Sequence, residues 1–261
     1  MRAEALDVWL GATHAVCDVT AAFAEGATSG LVGPNGAGKT TLLNCVSGLV
    51  RASAGDVFLY GERTTGIKPH HLARLHIARS YQGAQLVREL TAVENVMVGD
   101  HVGLRTGLAA AALTLPGGRR AERAARERAL HALERVGIGR YANRRVKELP
   151  YGIQKRIDLA RALVSEPRCI LLDEPMAGLS RSEKEEVVAV LSGLRAKGGP
   201  TLLVVEHDMR VINQLCSHVV VLAAGAVLAA GPPERVLNSA EVVAAYIGRG
   251  DRRASEEVAS R

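Results

Sequence analysis

The sequence predicts an α/β fold: a mostly parallel sheet, joined by an N-terminal antiparallel β subdomain and a helical subdomain. Three observations carry this. The apolar runs Ala27–Val32, Cys169–Leu172 and Thr201–Val205 are separated by helix-length segments, the pattern of strands buried in a parallel sheet. Ala5–Phe23 is partly alternating and is broken at Gly11, which reads as two antiparallel strands. From Thr91 to Gly139 the apolar spacing becomes helical.

The remaining elements follow in chain order. Val32 runs into a glycine-rich loop, and Thr40–Leu49 then carries helical spacing with Leu42, Leu43, Val46 and Leu49 on one side. Gly55–Leu59 reads as a strand ended by a turn at Gly61. The alanine-rich stretch Gly107–Leu115 stops at Pro116-Gly117-Gly118, a punctuation mark. A charged helix resumes over Arg119–Val136, with Ala125, Ala129, Leu133 and Val136 as its apolar stripe and Glu122–Arg126 as a favourable i,i+4 pair. After Pro150 a helix is expected over Ile153–Ser165. The organisation expected is one domain over 1–248, with a helical subdomain of about 84–165 inserted in its core, and a polar tail over 249–261.

Composition narrows the classes. Of the 261 residues, 48% are apolar and 23% charged, which excludes wholesale disorder. Aromatics are only 3%, so the core must be built from Ala, Val, Leu and Ile, and an aromatic platform for single-stranded nucleic acid is not expected. Cys17, Cys45, Cys169 and Cys216 are scattered, without a C-x-x-C pair, and read as small hydrophobes in a reducing compartment. Met1-Arg2-Ala3-Glu4 lacks the layout of a secretory signal. The apolar run Val219–Gly231 is interrupted at Gly225 and falls short of the roughly 17–25 residues of a membrane span. A cytoplasmic location is therefore expected. The net charge of +6 suits an anionic partner, but Arg is interleaved with Glu, the pattern of solvated helix faces, so no nucleic acid is expected.

The most informative stretch is Gly33-Pro34-Asn35-Gly36-Ala37-Gly38-Lys39-Thr40, a full G-x-x-x-x-G-K-[ST] match between an apolar strand and an amphipathic helix. Glycines let the backbone fold round phosphates, so that N–H groups converge on the anion at a helix N-terminus. Lys39 brings a charge to the β/γ-phosphates, and the Thr40 hydroxyl is a candidate Mg²⁺ ligand, with Thr41 beside it in the nucleotide-binding set. The second element is Ile170-Leu171-Leu172-Asp173-Glu174-Pro175. A strand ending in acid brings a carboxylate to the edge of a parallel sheet where ligands bind. Asp173 would hold Mg²⁺ and Glu174 would polarise an attacking water.

With these motifs in order, the chain resembles the nucleotide-binding subunit of an ATP-binding-cassette transporter over about Glu4 to Gly248. Gln82 in Ser80-Tyr81-Gln82-Gly83 matches the Q-loop, and Leu149-Pro150-Tyr151-Gly152-Ile153-Gln154 the signature motif. Ala177-Gly178-Leu179-Ser180 matches the D-loop, and Glu206-His207-Asp208 the switch-histidine loop. The segment after Gln82, the Pro-Tyr-Gly signature and the ending Val243-Ala244-Ala245-Tyr246-Ile247-Gly248 are similar to the branched-chain amino acid importer branch. The resemblance implies a P-loop fold with a RecA-like core and a head-to-tail pair of cassettes sandwiching ATP and Mg²⁺. It makes Glu174 the general base, His207 a γ-phosphate contact, Gln82 a further metal-site residue and Gly152 a contact to the partner's nucleotide. It also implies a polytopic permease, reached by a periplasmic or extracellular binding protein, and a place at the cytoplasmic face of the membrane.

The sequence departs from the family pattern in three places. Pro150 stands where the signature has serine, which either pre-sets the helix start or weakens the contact across the dimer. Ser180 replaces the common D-loop aspartate. The adenine-stacking aromatic aligns with Leu10, next to Trp9, which reads either as a stacking residue or as a partly buried strand tryptophan. The competing functions are a soluble cassette ATPase acting on ribosomes or DNA, or one serving an iron–sulfur scaffold.

Overall fold

The computed structural model describes residues 1–80, 86–100, 116–196 and 198–247. The chain divides into two compact units, one formed by Met1–Pro69 and the chain from Leu202 onward, the other by His70–Thr201.

In the first unit, β1 (Arg2–Leu10) and β2 (Thr13–Ala22) pair antiparallel around Gly11. β4 (Ala54–Leu59) pairs with the other edge of β1, and β5 (Glu62–Arg63) with β4. Ala3, Leu6 and Val8 of β1 and Val16, Val19 and Ala21 of β2 are buried, the alternation of a sheet with one wet face. The unit's other sheet is centred on β3 (Thr28–Val32), parallel to β8 (Thr201–Val205) on one side and to β9 (His218–Ala223) on the other. Every residue of β3 and β8 is buried, as continuous apolar strands require. The run Val219–Gly231 is a hairpin: β9 turns at Ala224 and Gly225, both with positive φ, into antiparallel β10 (Ala226–Gly231). The helices Met209–Leu215, Pro233–Val236 and Ala240–Ile247 complete the unit. Ile212, Val236, Val242 and Tyr246 pack with Val32, Val219 and Val221 of the strands.

The helix after β3 is Lys39–Val46, shorter than the spacing suggests. Leu42, Leu43 and Val46 are buried, but the chain turns away at Ser47-Gly48 and leaves Leu49 47% exposed, off the core face.

In the second unit, β6 (Ile77–Ser80) runs parallel to β7 (Cys169–Asp173). The longer helices described in this unit are Ala92–Gly99, Pro116–Arg135, Tyr151–Leu163 and Arg181–Ala196. Thr91 and Glu94 form a reciprocal capping box on the first. The second begins at Pro116, not at Arg119. Proline fits a first helical turn, whose N–H has no helical partner, so the Pro-Gly-Gly sequence opens the helix. Ala125, Ala129, Leu133 and Val136 are buried as one stripe. Arg128 of this helix donates from Nε and Nη2 to Oδ2 of the buried Asp100 at 3.0 and 2.6 Å, and Arg126 donates to Asn143 Oδ1 at 2.7 Å. The signature helix starts two residues before the expected Ile153. The alanine-rich stretch and the tail over 249–261 lie outside the described residues. All four cysteines are free; burial pushes the Cys45 thiol up to about 11 and those of Cys169 and Cys216 to about 12. No described helix is long and apolar enough to cross a membrane.

Candidate nucleotide site

Strand β3 stops at Gly33, and the loop from there to Gly38 enters the helix Lys39–Val46 through Gly38, a left-handed N-cap with φ of 97°. Two glycines are required by close approach. A Cβ on Gly33 would run into the Leu222 carbonyl oxygen, and one on Gly38 into that of Ala15. The loop thus presents its backbone at a helix start, where N–H groups without helical partners suit an anion. Lys39 is 8% exposed, and its Nζ donates to the carbonyls of Gly33 at 2.6 Å and Pro34 at 3.0 Å. The ammonium is held within the curve of its own loop, where it suits a β/γ-phosphate. Asn35, Gly36 and Thr40 are exposed, Pro34 and Thr41 half-buried, and Ala37 buried. The loop is braced from the same unit. The Gly225 amide donates to the Ala37 carbonyl at 3.2 Å, and the Cys17 amide to the Gly225 carbonyl at 2.8 Å.

β8 leads into Glu206, 1% exposed, followed by His207, whose side chain is 59% exposed and whose Nδ1 lies 3.8 Å from Glu206 Oε2. Asp208 caps the next helix, accepting the Arg210 amide at 3.1 Å. His207 and the phosphate loop therefore belong to one unit.

The carboxylates belong to the other. Asp173 ends β7 at 2% exposure, and its Oδ2 accepts from Arg79 Nη2 at 3.1 Å. Glu174 follows with φ of 48°, so the strand breaks between the two acids; Glu174 is half-buried and its carbonyl accepts the Ala177 amide at 3.1 Å. Gln82 lies outside the described residues.

The signature helix starts from Pro150, an extended N-cap whose carbonyl accepts the Ile153 and Gln154 amides at 3.0 and 3.1 Å. Gly152 is buried, and a Cβ there would collide with Glu183 Oε1. Glu183 also caps the D-loop end, with Oε2 accepting from the Ser180 hydroxyl at 2.7 Å and the Ser180 amide at 2.8 Å. These bonds, the hydroxyl's first, hold the Glu183 carboxyl below the usual range, and Arg156 and the Gly152 amide add to them. Ser180 is thus the N-cap of the helix Arg181–Ala196. The signature start and the D-loop meet at Glu183 and where Gly178 approaches the Tyr151 ring.

Trp9 lies on β1 and is 51% exposed, and Leu10 is 46% exposed, so the indole is half open on the strand. Its indole stacks on His14, with centroids 4.3 Å apart, and His14 Nε2 reaches Asp7 Oδ1 at 2.5 Å.

Sequence reading passed over three of these residues. Glu183 was legible as the end of an S-x-x-E capping box, Ser180-Arg181-Ser182-Glu183. Arg79 shows only as a cation within a short strand, and the bracing role of Gly225 has no local signal. Among the described residues no cluster of three or more His, Cys, Asp or Glu could hold a metal. Thr40, exposed in the first turn of the loop's helix, and Asp173, at the end of β7, carry the oxygen donors that Mg²⁺ takes alongside waters and phosphate oxygens.

Comparison with known proteins agrees with this reading. The ABC transporter family profile matches residues 16–177. The chain is 38% identical over 248 residues to the high-affinity branched-chain amino acid transport ATP-binding protein BraF of Pseudomonas aeruginosa, covering 95% of this chain and 97% of that protein. The ADP conformation of MJ1267, an ATP-binding cassette of an ABC transporter, matches with a TM-score of 0.83 and 28% identity over 95% of this chain and 98% of that one. The dimeric post-hydrolysis state of the cassette MJ0796, bound to ADP and Pi, matches with a TM-score of 0.74 and 27% identity, over 89% and 98%. The phosphate loop, the acid-ended strand and the cassette fold thus have one common explanation: the chain belongs to the ABC transporter family, as an ATP-binding, ATP-hydrolysing subunit.

Proposed function

We propose that this subunit energises a multi-component importer for branched-chain or other hydrophobic amino acids, or related small carboxylates. The observation that carries the reading is the 38% identity to BraF, which spans nearly the whole of both proteins. Two such subunits act as a pair, which the dimeric MJ0796 cassette supports, in the head-to-tail arrangement that the sequence resemblance implies. They work at the cytoplasmic face of the membrane on a polytopic permease that a periplasmic or extracellular binding protein supplies.

Gly33 through Thr41 bind ATP, with Lys39 neutralising the β/γ-phosphates. Thr40, Asp173 and Gln82 are the residues that would hold Mg²⁺, which when bound neutralises charge developing on the phosphates. Glu174 accepts a proton from the water that attacks the γ-phosphorus. His207 contacts the γ-phosphate, and Gly152 approaches the nucleotide held by the partner subunit.

The test uses Glu174→Gln. The variant is expected to bind Mg-ATP and to lose turnover by at least about a hundredfold, the usual share of a general base. Used as bait in a membrane-containing lysate with Mg-ATP, it is expected to recover a polytopic permease. Turnover equal to wild type would remove Glu174 from its role. Recovery of ribosomes, DNA or a soluble scaffold without a membrane protein would overturn the importer.

A further inference from the structure

A guanidinium in the middle of a buried strand pair is the least economical feature of the second unit. Arg79 lies on β6 directly opposite Leu171 of β7. Residues two apart on a strand share a face, so Asp173 lies on that same face one step further along, and Arg79 reaches forward to it. The contact is Nη2 to Oδ2 at 3.1 Å, between side chains 8% and 3% exposed. A well-packed apolar pair of similar volume often matches or exceeds the stability that two buried charges give. Stability alone does not call for these residues. The position of the pair does, because Asp173 ends the strand at the edge where the nucleotide chemistry is expected.

We propose that Arg79 is a positioning residue for the Asp173 carboxylate, fixing its orientation so that it addresses the metal of a bound Mg-nucleotide. The proposal rests on the reading of Asp173 as a Mg²⁺-site residue. A guanidinium suits the task better than an ammonium. Its planar fork sets the direction of a carboxylate, whereas lysine supplies only a point charge. Arg79 itself touches neither nucleotide nor metal.

The experiment uses the full-length protein as wild type, Arg79→Lys, Asp173→Asn and the double variant Arg79→Met/Asp173→Leu. Three quantities are read: melting temperature, affinity for a non-hydrolysable ATP analogue in EDTA, and affinity of the analogue-loaded protein for Mn²⁺ by electron paramagnetic resonance. Arg79→Lys is expected to keep metal-free affinity within about twofold and to lose Mn²⁺ affinity about tenfold, as for other residues that orient metal ligands. Asp173→Asn is expected to lose at least as much. The double variant, with no buried charge left, is expected to melt no lower than Arg79→Lys while still binding Mn²⁺ weakly. Wild-type Mn²⁺ affinity in Arg79→Lys, with Asp173→Asn impaired, would overturn the role of Arg79 and leave that of Asp173 standing. Unchanged Mn²⁺ affinity in Asp173→Asn would overturn both. A rise in Arg79→Lys, or an equal fall with and without metal, would also overturn the proposal, since the arginine would then be a competitor or a general prop.

Discussion

The phosphate loop and the signature–carboxylate region are held in place by different physical means. In the first unit the loop is made of backbone: Gly33 and Gly38 leave no room for side chains, and Lys39 is held by the loop's own carbonyls. In the second unit it is side chains that hold the groups, and apart from the local Ser180–Glu183 bonds they come from far along the chain. Arg79 meets Asp173, Glu183 meets Gly152 and Ser180, and Arg128 meets Asp100. A backbone cradle tolerates no added atom. A side-chain pair tolerates replacement as long as both members change together.

That contrast can be broken first at Gly38. Gly38→Ala must take φ of 97° and meet the Ala15 carbonyl, so we expect ATP affinity to fall at least about a hundredfold, or 2.7 kcal/mol, in a fluorescent-nucleotide titration. A loss below tenfold would mean that the loop is not set by its backbone. The second unit should respond in stability instead. Arg128→Met leaves the Asp100 carboxylate, 3% exposed, without its guanidinium. Arg128 is itself 40% exposed and the cost is discounted for that, leaving about 2–3 kcal/mol in denaturant unfolding. Metal-free ATP affinity is expected to stay within about twofold of wild type, since the phosphate loop lies in the other unit. Loss of both together would show that the two regions do not behave separately.

The smallest effect is expected at Pro150. Its contribution to the helix start is its carbonyl, which accepts the Ile153 and Gln154 amides, and serine would keep that carbonyl and add a capping hydroxyl. Pro150→Ser should therefore change steady-state ATPase turnover by less than about tenfold, or 1.4 kcal/mol of barrier. A larger change would give the missing serine a role across the dimer.

Strand character, the phosphate loop and the acid-ended strand were legible in the chain because each is written in a few consecutive residues. β8 coincides with Thr201–Val205, and the break at Gly11 separates β1 from β2. Element ends were less legible. Leu49 has the right spacing for its helix, but Ser47-Gly48 ends the helix before it, and Pro116 reads equally as a stop and as a first turn. An apolar run interrupted by one glycine became a hairpin, because Ala224 and Gly225 together adopt the positive φ of a tight turn.

What no local pattern contains is the choice of partners. Lys39 could be tied to its loop from the eight-residue motif alone, since the atoms that hold it lie within that motif. Arg79 could not be assigned to Asp173, nor Gly225 to Ala37, nor Glu183 to Gly152. Those pairs form only when parallel strands come into register, a hairpin folds back and two helices pack. Backbone geometry propagates from neighbour to neighbour along the chain and is encoded there, whereas a buried charge finds its counterpart only across the folded core.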